Sequence, residues 1–270
     1  MRIAAILLMA LTSAVAVPAE PAGVRIRLSY EIYAVGLHVM HLQATADMAA
    51  DGYHVELSFR SAGLYGAFVR AESHASVAGV WRGDRPVPGR YDNYGIWHGT
   101  AYRTVIDFNG DVPDVRLLVP NQDERREPVP ADLQRGTIDP LSAMARLLRK
   151  VTGSSHCDIE SKTFDGLRLS GIAARTVGVE TLPVESRSNF TGTALRCDFE
   201  GREFAGFKRD ESADERVWPL RGSAWFASLV PGGPPVPVRM SFDTRYLGWV
   251  TVYLTAATSA PAAPLPGAVR

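Results

Sequence analysis

The residue types that carry out most enzyme chemistry are scattered along this sequence without forming a catalytic motif. The patterns G-x-S-x-G, H-E-x-x-H, G-x-x-x-x-G-K-[ST] and G-x-G-x-x-G do not occur, so the signatures of hydrolases, zinc proteases, phosphate loops and dinucleotide sites are missing. The six histidines are His38, His41, His54, His74, His98 and His156. The sequence therefore predicts no enzyme active site and no cofactor.

The histidine spacing also predicts no metal site. His38 and His41 are three positions apart, which places them on opposite faces of a regular strand. His54 and Glu56 share a face, but two ligands do not make a metal site. A solvated strand face is the simpler interpretation of these residues.

The sequence gives little support for nucleophilic catalysis. A triad of Ser142, His156 and Asp165 would place its serine inside a predicted helix, without the strained strand-to-helix turn of a nucleophile elbow. Asp165 itself lies in an expected hairpin turn. An enzyme would require a polar cluster such as Asp139, Asp165 and Arg239 to meet in a cleft.

The segment 91–98 is the richest in aromatic residues. Tyr94 and Trp97 lie here beside Asp, Asn and His, a mixture that can stack on sugars. The same mixture arises where aromatic rings pack under a hairpin and turn their polar tips to water. Both interpretations remain open from sequence alone.

Overall charge argues against a nucleic-acid partner. The chain has 29 Lys and Arg and 29 Asp and Glu, whereas nucleic-acid binders rely on an excess or a stripe of basic residues.

The two ends of the chain define one domain over residues 20–256. Arg2 precedes an apolar stretch from Ile3 to Val17 and small residues, which is the layout of a signal peptide over residues 1–19. A membrane anchor is the alternative, but a span needs about 20 apolar residues. No later stretch is long enough to span as a helix. The Ala/Pro-rich residues 257–270 are expected to be disordered. We expect an exported protein, periplasmic or secreted.

Cys157 and Cys197 are the two cysteines. In an oxidising compartment an even number of cysteines favours a disulfide. A redox thiol is the alternative, but there is no C-x-x-C spacing, and His156 would point to the opposite face of a strand from its neighbour Cys157.

Alternation of apolar and polar residues dominates the chain, most clearly over residues 24–32, 53–60 and 236–246. Strands with one dry and one wet face are typical of antiparallel sheets. One helix is expected over residues about 140–151, with Asp139 as N-cap and Pro140 in the first position.

The predicted architecture follows from the area of apolar strand surface that must be buried. A helix of about 12 residues is only about 18 Å long and cannot cover ten or more amphipathic strands. The fold class is therefore mainly β, with a large antiparallel sheet curled into a barrel or half-barrel, or else packed against a second sheet. A wide barrel holds a plug or a ligand. An outer-membrane barrel would instead turn its apolar face outward. The candidate ligand-binding residues are Val55, Leu57, Tyr94, Trp97, Val238, Met240 and Phe242.

Several short motifs occur together in an order that is more specific than any one of them. They are Ser61-Ala62-Gly63-Leu64, His74 with Gly79-Val80-Trp81, Pro88-Gly89-Arg90-Tyr91, Asp139-Pro140-Leu141-Ser142-Ala143, Cys157, Phe164-Asp165-Gly166, Cys197, Ala205-Gly206-Phe207 and Pro237-Val238-Arg239. Over residues 24 to 256 the chain resembles the DUF3108 family of exported proteobacterial proteins. The resemblance implies a β-rich envelope protein with paired cysteines, and it carries no activity, substrate or catalytic residue.

Two functions remain open. The first is a carrier of a lipid-like apolar component of the cell envelope, sheltered by the curled sheet. The alternative is a structural or interaction module that binds a glycan or an envelope protein through Tyr94 and Trp97.

Overall fold

The structure is a computed structural model that describes residues 23–121, 124–229, 233–245 and 247–262. The predicted signal peptide, residues 1–19, lies outside the described residues. The strands are β1 (Gly23–Ala34), β2 (Leu37–Ala49), β3 (Gly52–Ser61), β4 (Ala71–Arg82), β5 (Arg85–Trp97), β6 (Thr100–Asp107), β7 (Asp114–Val119), β8 (Ile159–Phe164), β9 (Leu169–Leu182), β10 (Gly192–Ala205), β11 (Leu220–Ser228), β12 (Pro235–Thr244) and β13 (Gly248–Pro261). The helices are α1 (Gly63–Phe68), α2 (Ala131–Gln134), α3 (Pro140–Ser154) and α4 (Ala213–Arg216).

All of these strands belong to one antiparallel sheet of 13 strands. Their order is β7-β6-β5-β4-β3-β2-β1-β13-β12-β11-β10-β9-β8, so every pair of consecutive strands except β7 and β8 is adjacent in the sheet, and the first strand, β1, also pairs with the last, β13. Among the described residues, the edge strands β7 and β8 are not hydrogen-bonded to each other. The predicted mainly β antiparallel fold is confirmed, and its form is a curled, unclosed sheet rather than two separate sheets.

Helix α3 lies inside the curl. It contacts β2, β3, β4 and β5 from one half of the sheet and β8 and β12 from the other. Its Leu141 and Ala145 are buried in one cluster with Tyr53, Tyr91 and Phe164. The sheet therefore wraps around the helix, as expected from an apolar face too large for a helix to cover from one side.

The N-terminus of α3 is fixed by a buried hydrogen-bond chain. The backbone N–H of Ser142 donates to Asp139 Oδ1 at 2.9 Å, and the Ser142 hydroxyl donates to Asp139 Oδ2. The Tyr53 hydroxyl, from β3, lies 2.6 Å from Ser142 Oγ. The predicted N-cap is confirmed, and it also ties the helix to the sheet.

The C-terminus of α3 is fixed by the predicted disulfide. Cys157 is bonded to Cys197 of β10, with 6.1 Å between their Cα atoms. The helix ends with Ser155 in the left-handed conformation. The bond packs with Val151 and Phe226 in a buried cluster, so both ends of the helix are held against the sheet.

Two boundaries and the number of helices differ from the sequence expectation. Helix α3 ends at Ser154, beyond the expected end near residue 151. Residues 257–261, predicted to be disordered, continue β13 and pair with β1 as far as Val24. The strand extends because β1 offers it a partner edge, which the composition of the tail does not reveal; residues 263–270 lie outside the described part of the chain. The short helices α1, α2 and α4 also add to the single helix expected, and they have 6, 4 and 4 residues, too few to show a periodic pattern.

A β-bulge overturns one expectation about the histidines. In the β1–β2 ladder, Ile32 pairs with Met40 and Tyr33 pairs with His38, which leaves Val39 without a partner in β1. An extra residue on one strand reverses the side-chain alternation beyond it. The expectation that His38 and His41 lie on opposite faces is therefore wrong, and their ring centroids are 4.7 Å apart.

Candidate functional site

The candidate functional site is an apolar cavity at the C-terminal end of α3, which we call the apolar mouth. Its volume is about 930 Å³. It is lined by Val24, Val151, Thr152, Ser155, Val179, Thr193, Leu195, Phe226, Ala227, Ser228, Gly233, Pro234, Pro235 and Ser259. These residues lie in α3 and just after it, in the paired strands β1 and β13, and in the part of the chain from β9 to β12.

The lining has the chemistry of a small-molecule site. None of its residues is Asp, Glu, Lys, Arg or His, and its polar groups are the hydroxyls of Ser and Thr and backbone amides. Pockets for organic ligands are mostly apolar, hold a few polar groups that orient the ligand, and measure roughly 300–1,000 Å³. The apolar mouth fits that description for an uncharged, lipid-like group.

The mouth arises because the helix is shorter than the strands around it. Helix α3 has 15 residues and is about 22 Å long. Strands β9, β10 and β13 have 14 residues each and extend about 45 Å. The sheet continues beyond the end of its plug, and the inward-facing residues there have no helix to pack against.

Five of the seven residues predicted to bind the ligand lie deeper in the fold. Val55 and Val238 are buried in the core, and Leu57, Met240 and Phe242 are partly buried against it. None of the seven predicted residues lines the apolar mouth. Alternation identifies the inward face of a strand, but it does not tell how far along the strand the plugging helix reaches. Strand length relative to helix length was the signal that could have found the mouth.

The two aromatic candidates do not form one platform. Tyr94 pairs with Arg103 and Trp97 pairs with Thr100 in an uninterrupted register. Because Tyr94 and Trp97 are three positions apart on a regular strand, their rings lie on opposite faces of the sheet. They are 48% and 46% exposed. Tyr94 stacks on His74 at 5.3 Å between centroids and lines a separate cavity of about 640 Å³.

The polar residues considered for catalysis also lie apart. Asp139 is fully buried at the start of α3, and burial raises its pKa to about 6. Asp165 accepts hydrogen bonds from Arg168 within its turn, and Arg239 contacts Glu185 at 2.7 Å. Each of these groups has a structural partner of its own.

The three residues of the candidate triad, Ser142, His156 and Asp165, also have separate partners. Ser142 is hydrogen-bonded to Asp139, while His156 Nδ1 lies 3.8 Å from Asp158 Oδ2. The predicted turn at Asp165 is present, and its carboxylate also accepts from the backbone N–H of Leu167. The three residues of the triad therefore have separate roles at three places.

Comparison with known proteins gives a family and no activity. A model of the DUF3108 family, described as a protein of unknown function, matches residues 28–255, which confirms the resemblance carried by the sequence motifs. No curated protein matches the chain. Among solved structures, the chain is similar to one described as a beta-barrel-like protein of domain of unknown function DUF1849 from Brucella abortus, with 10% identity, a TM-score of 0.48, and coverage of 90% of this chain and 100% of that chain. Among the described residues, no helix is both long and apolar enough to cross a membrane.

Proposed function

The chain belongs to the DUF3108 family of proteins of unknown function, and from this premise we propose that it is an exported carrier that binds one lipid-like molecule in the apolar mouth. The single observation that carries the proposal is the mouth itself, a cavity of about 930 Å³ without an ionisable side chain in its lining. We propose binding rather than catalysis, since the polar clusters considered above are each engaged elsewhere.

The energetics favour an acyl chain over a compact polar ligand. Each buried methylene contributes about 0.8 kcal/mol, so ten methylenes would contribute about 8 kcal/mol before the costs of association. Hydroxyls such as those of Thr152 and Thr193 at the cavity wall would accept or donate one or two hydrogen bonds to a polar head. The ligand we propose is therefore a single-chain amphiphile with its chain in the mouth.

The location is inferred from the sequence and from the disulfide. The signal-peptide pattern of residues 1–19 supports export, and a Cys157–Cys197 bond is suited to an oxidising compartment. A periplasmic carrier would meet envelope lipids there.

The test uses two matched valines on β9. Val179 lines the mouth and Val177 does not, while both are exposed, at 67% and 53%. Val179→Glu places a charge against a bound apolar group and should weaken binding of the neutral dye phenylnaphthylamine about tenfold or more. Val177→Glu should bind the dye like the parent protein.

The readout is dye fluorescence in a titration of the purified mature chain. Equal affinities for the two variants would place the binding site elsewhere. A parent protein that binds no dye and carries no lipid would contradict the carrier proposal.

A glycan- or protein-binding role is the second candidate, and the exposed stack of Tyr94 on His74 favours it. Arg103, from the strand on the other side of Tyr94, lies over the Tyr94 ring at 5.9 Å from its centroid, so the exposed edge of the ring and a nearby cation are available to a sugar or peptide. Tyr94→Ala should then abolish capture on immobilised envelope glycans, whereas Trp97→Ala, on the opposite face, should not. Unchanged capture by Tyr94→Ala would remove this role.

A further inference from the structure

Glu31, His38 and His41 meet on the face of the sheet opposite to α3, and we call them the Glu31 cluster. Each offers one ligand atom, and these atoms lie within 4.8 Å of one another. His41 Nδ1 is 2.8 Å from Glu31 Oε2, and His38 Nε2 is also in contact with that oxygen. Two imidazoles and one carboxylate thus converge on a common point.

The bulge at Val39 creates this convergence. Glu31 pairs directly with His41 across the β1–β2 ladder, and the unpaired Val39 brings His38 to the same face. Bulges re-aim side chains and are frequent beside functional sites. A regular β2 strand would leave only one histidine beside Glu31.

His41 Nδ1 and Glu31 Oε1 are hydrogen-bonded at 2.8 Å, but two other polar atoms of the cluster are not satisfied. Glu31 Oε2 and His38 Nε2 are shielded from solvent, and neither has a hydrogen-bond partner, although the two atoms are in ion-pair contact. Buried polar atoms left without a hydrogen bond are uncommon and call for an explanation such as an ion.

The donor set suits a transition metal of the zinc class. Zn²⁺ binds His nitrogen and carboxylate oxygen at about 2.0–2.2 Å, with ligand atoms about 3.4 Å apart in a tetrahedron. Sites with three protein ligands keep a further position for water or another ligand. The side chains of Glu31, His38 and His41 are 26%, 27% and 35% exposed, so the cluster lies close to the surface although Glu31 Oε2 and His38 Nε2 are themselves shielded from solvent.

A second cavity adjoins the cluster. It measures about 590 Å³, and its lining includes Glu31, His41, Arg60, Glu72 and His74. A metal held by the Glu31 cluster would therefore lie beside this cavity, which Glu31 and His41 line, and not beside the apolar mouth.

We propose that the Glu31 cluster binds one divalent transition-metal ion, with Zn²⁺ as the representative species. The site is independent of the apolar mouth, since none of its three ligands lines that cavity. The site was not predicted from the sequence, because His38 and His41 are three positions apart and would lie on opposite faces of a strand without a bulge.

The experiment is calorimetric titration of the mature, tag-free protein with Zn²⁺. We expect one equivalent to bind. Glu31→Gln and His38→Asn should each weaken binding about 100-fold or more, since loss of outer-sphere partners alone costs 10–100-fold. His54→Asn is the matched control, because His54 also lies beside two carboxylates, Asp47 at 3.6 Å and Glu56 at 3.7 Å, but engages them through opposite ring nitrogens.

Thermal unfolding of each variant with and without Zn²⁺ gives a second readout. Zn²⁺ should raise the melting temperature of the parent protein and of His54→Asn, and it should leave that of Glu31→Gln and His38→Asn unchanged, in chains whose circular dichroism matches the parent. No saturable Zn²⁺ binding by the parent, or equal binding by the cluster variants, would overturn the proposal.

Discussion

Cys157 lies just beyond the end of α3 and is disulfide-bonded to Cys197 in β10, so the C-terminal end of the helix is fastened to the wall of the apolar mouth. The N-terminal end is held through Asp139, Ser142 and Tyr53. With both ends fixed, the helix cannot advance into the mouth to fill it. The anchoring therefore preserves the cavity that the short helix leaves open.

Removal of the disulfide should cost much of the stability of the domain. The bond closes a loop with a sequence separation of 40, for which the chain-entropy model gives about 4 kcal/mol. We expect the double variant Cys157→Ala with Cys197→Ala to lose about that free energy of unfolding in urea titrations. The parent protein in reductant should match it, and a loss below about 1 kcal/mol would show that the bond does not restrain the unfolded chain.

Asp139 should make stability depend on pH between about 4 and 6. Burial raises its folded-state pKa to about 6, so the folded state holds this proton at a pH where the unfolded state has lost it. The unfolding free energy contributed by this group is thus full below pH 4 and declines as pH rises through 6. A shift of about 2 units corresponds to about 3 kcal/mol.

The measurement compares Asp139→Asn with the parent protein from pH 4 to 7. Asn still caps a helix well, so the variant should gain about 3 kcal/mol relative to the parent across this range. Asp158→Asn should differ from the parent by a nearly constant amount over this range, since hydrogen bonds from Thr176 lower the pKa of Asp158 and its contribution to stability therefore changes only at lower pH. A constant difference between Asp139→Asn and the parent would show that Asp139 does not titrate in this window.

Gly166 should not tolerate a side chain. Its φ is +93°, and a Cβ would lie 2.6 Å from Cγ2 of Thr104 in β6, where the β8–β9 turn packs. Gly166→Ala should cost about 2 kcal/mol or more. Gly153→Ala, in α3 with no atom within 4 Å of the added carbon, should instead stabilise by about 0.5–1 kcal/mol; similar thermal shifts for both would contradict the turn geometry.

Filling the apolar mouth should block ligand binding without unfolding the protein. Thr152 is an exposed residue of α3 that lines the cavity, so the indole of Thr152→Trp would occupy ligand space. We expect about tenfold weaker dye binding or more. Met144→Trp, on the same helix at a residue 40% exposed and outside the lining, is the control; equal binding by both would argue against this cavity.

The strands and helix α3 could be predicted from the sequence because the patterns that mark them are local. Alternation in segments such as 24–32 marks strands with one buried face, and Asp139 with Pro140 marks the start of α3. The excess of apolar strand surface over helix surface then required the sheet either to curl or to pack against a second sheet, and the structure shows one curled sheet.

The sites were not predictable in the same way, because each depends on partners distant in sequence. The bulge at Val39 exists only in the register between β1 and β2, and it decides whether His38 and His41 meet. The mouth depends on where α3 stops along the curled sheet, which aligns Val151 with Val24 and Phe226. Neither relationship can be recognised from the residue types of a local segment.

Native mass spectrometry of the protein, purified without detergent from cells that express the full chain, tests the carrier proposal most directly. The account predicts one bound lipid-like molecule per chain in the parent and in Val177→Glu, and its loss from Val179→Glu. Parent protein that is free of any bound apolar molecule, and that takes up none when single-chain amphiphiles are added, would contradict it.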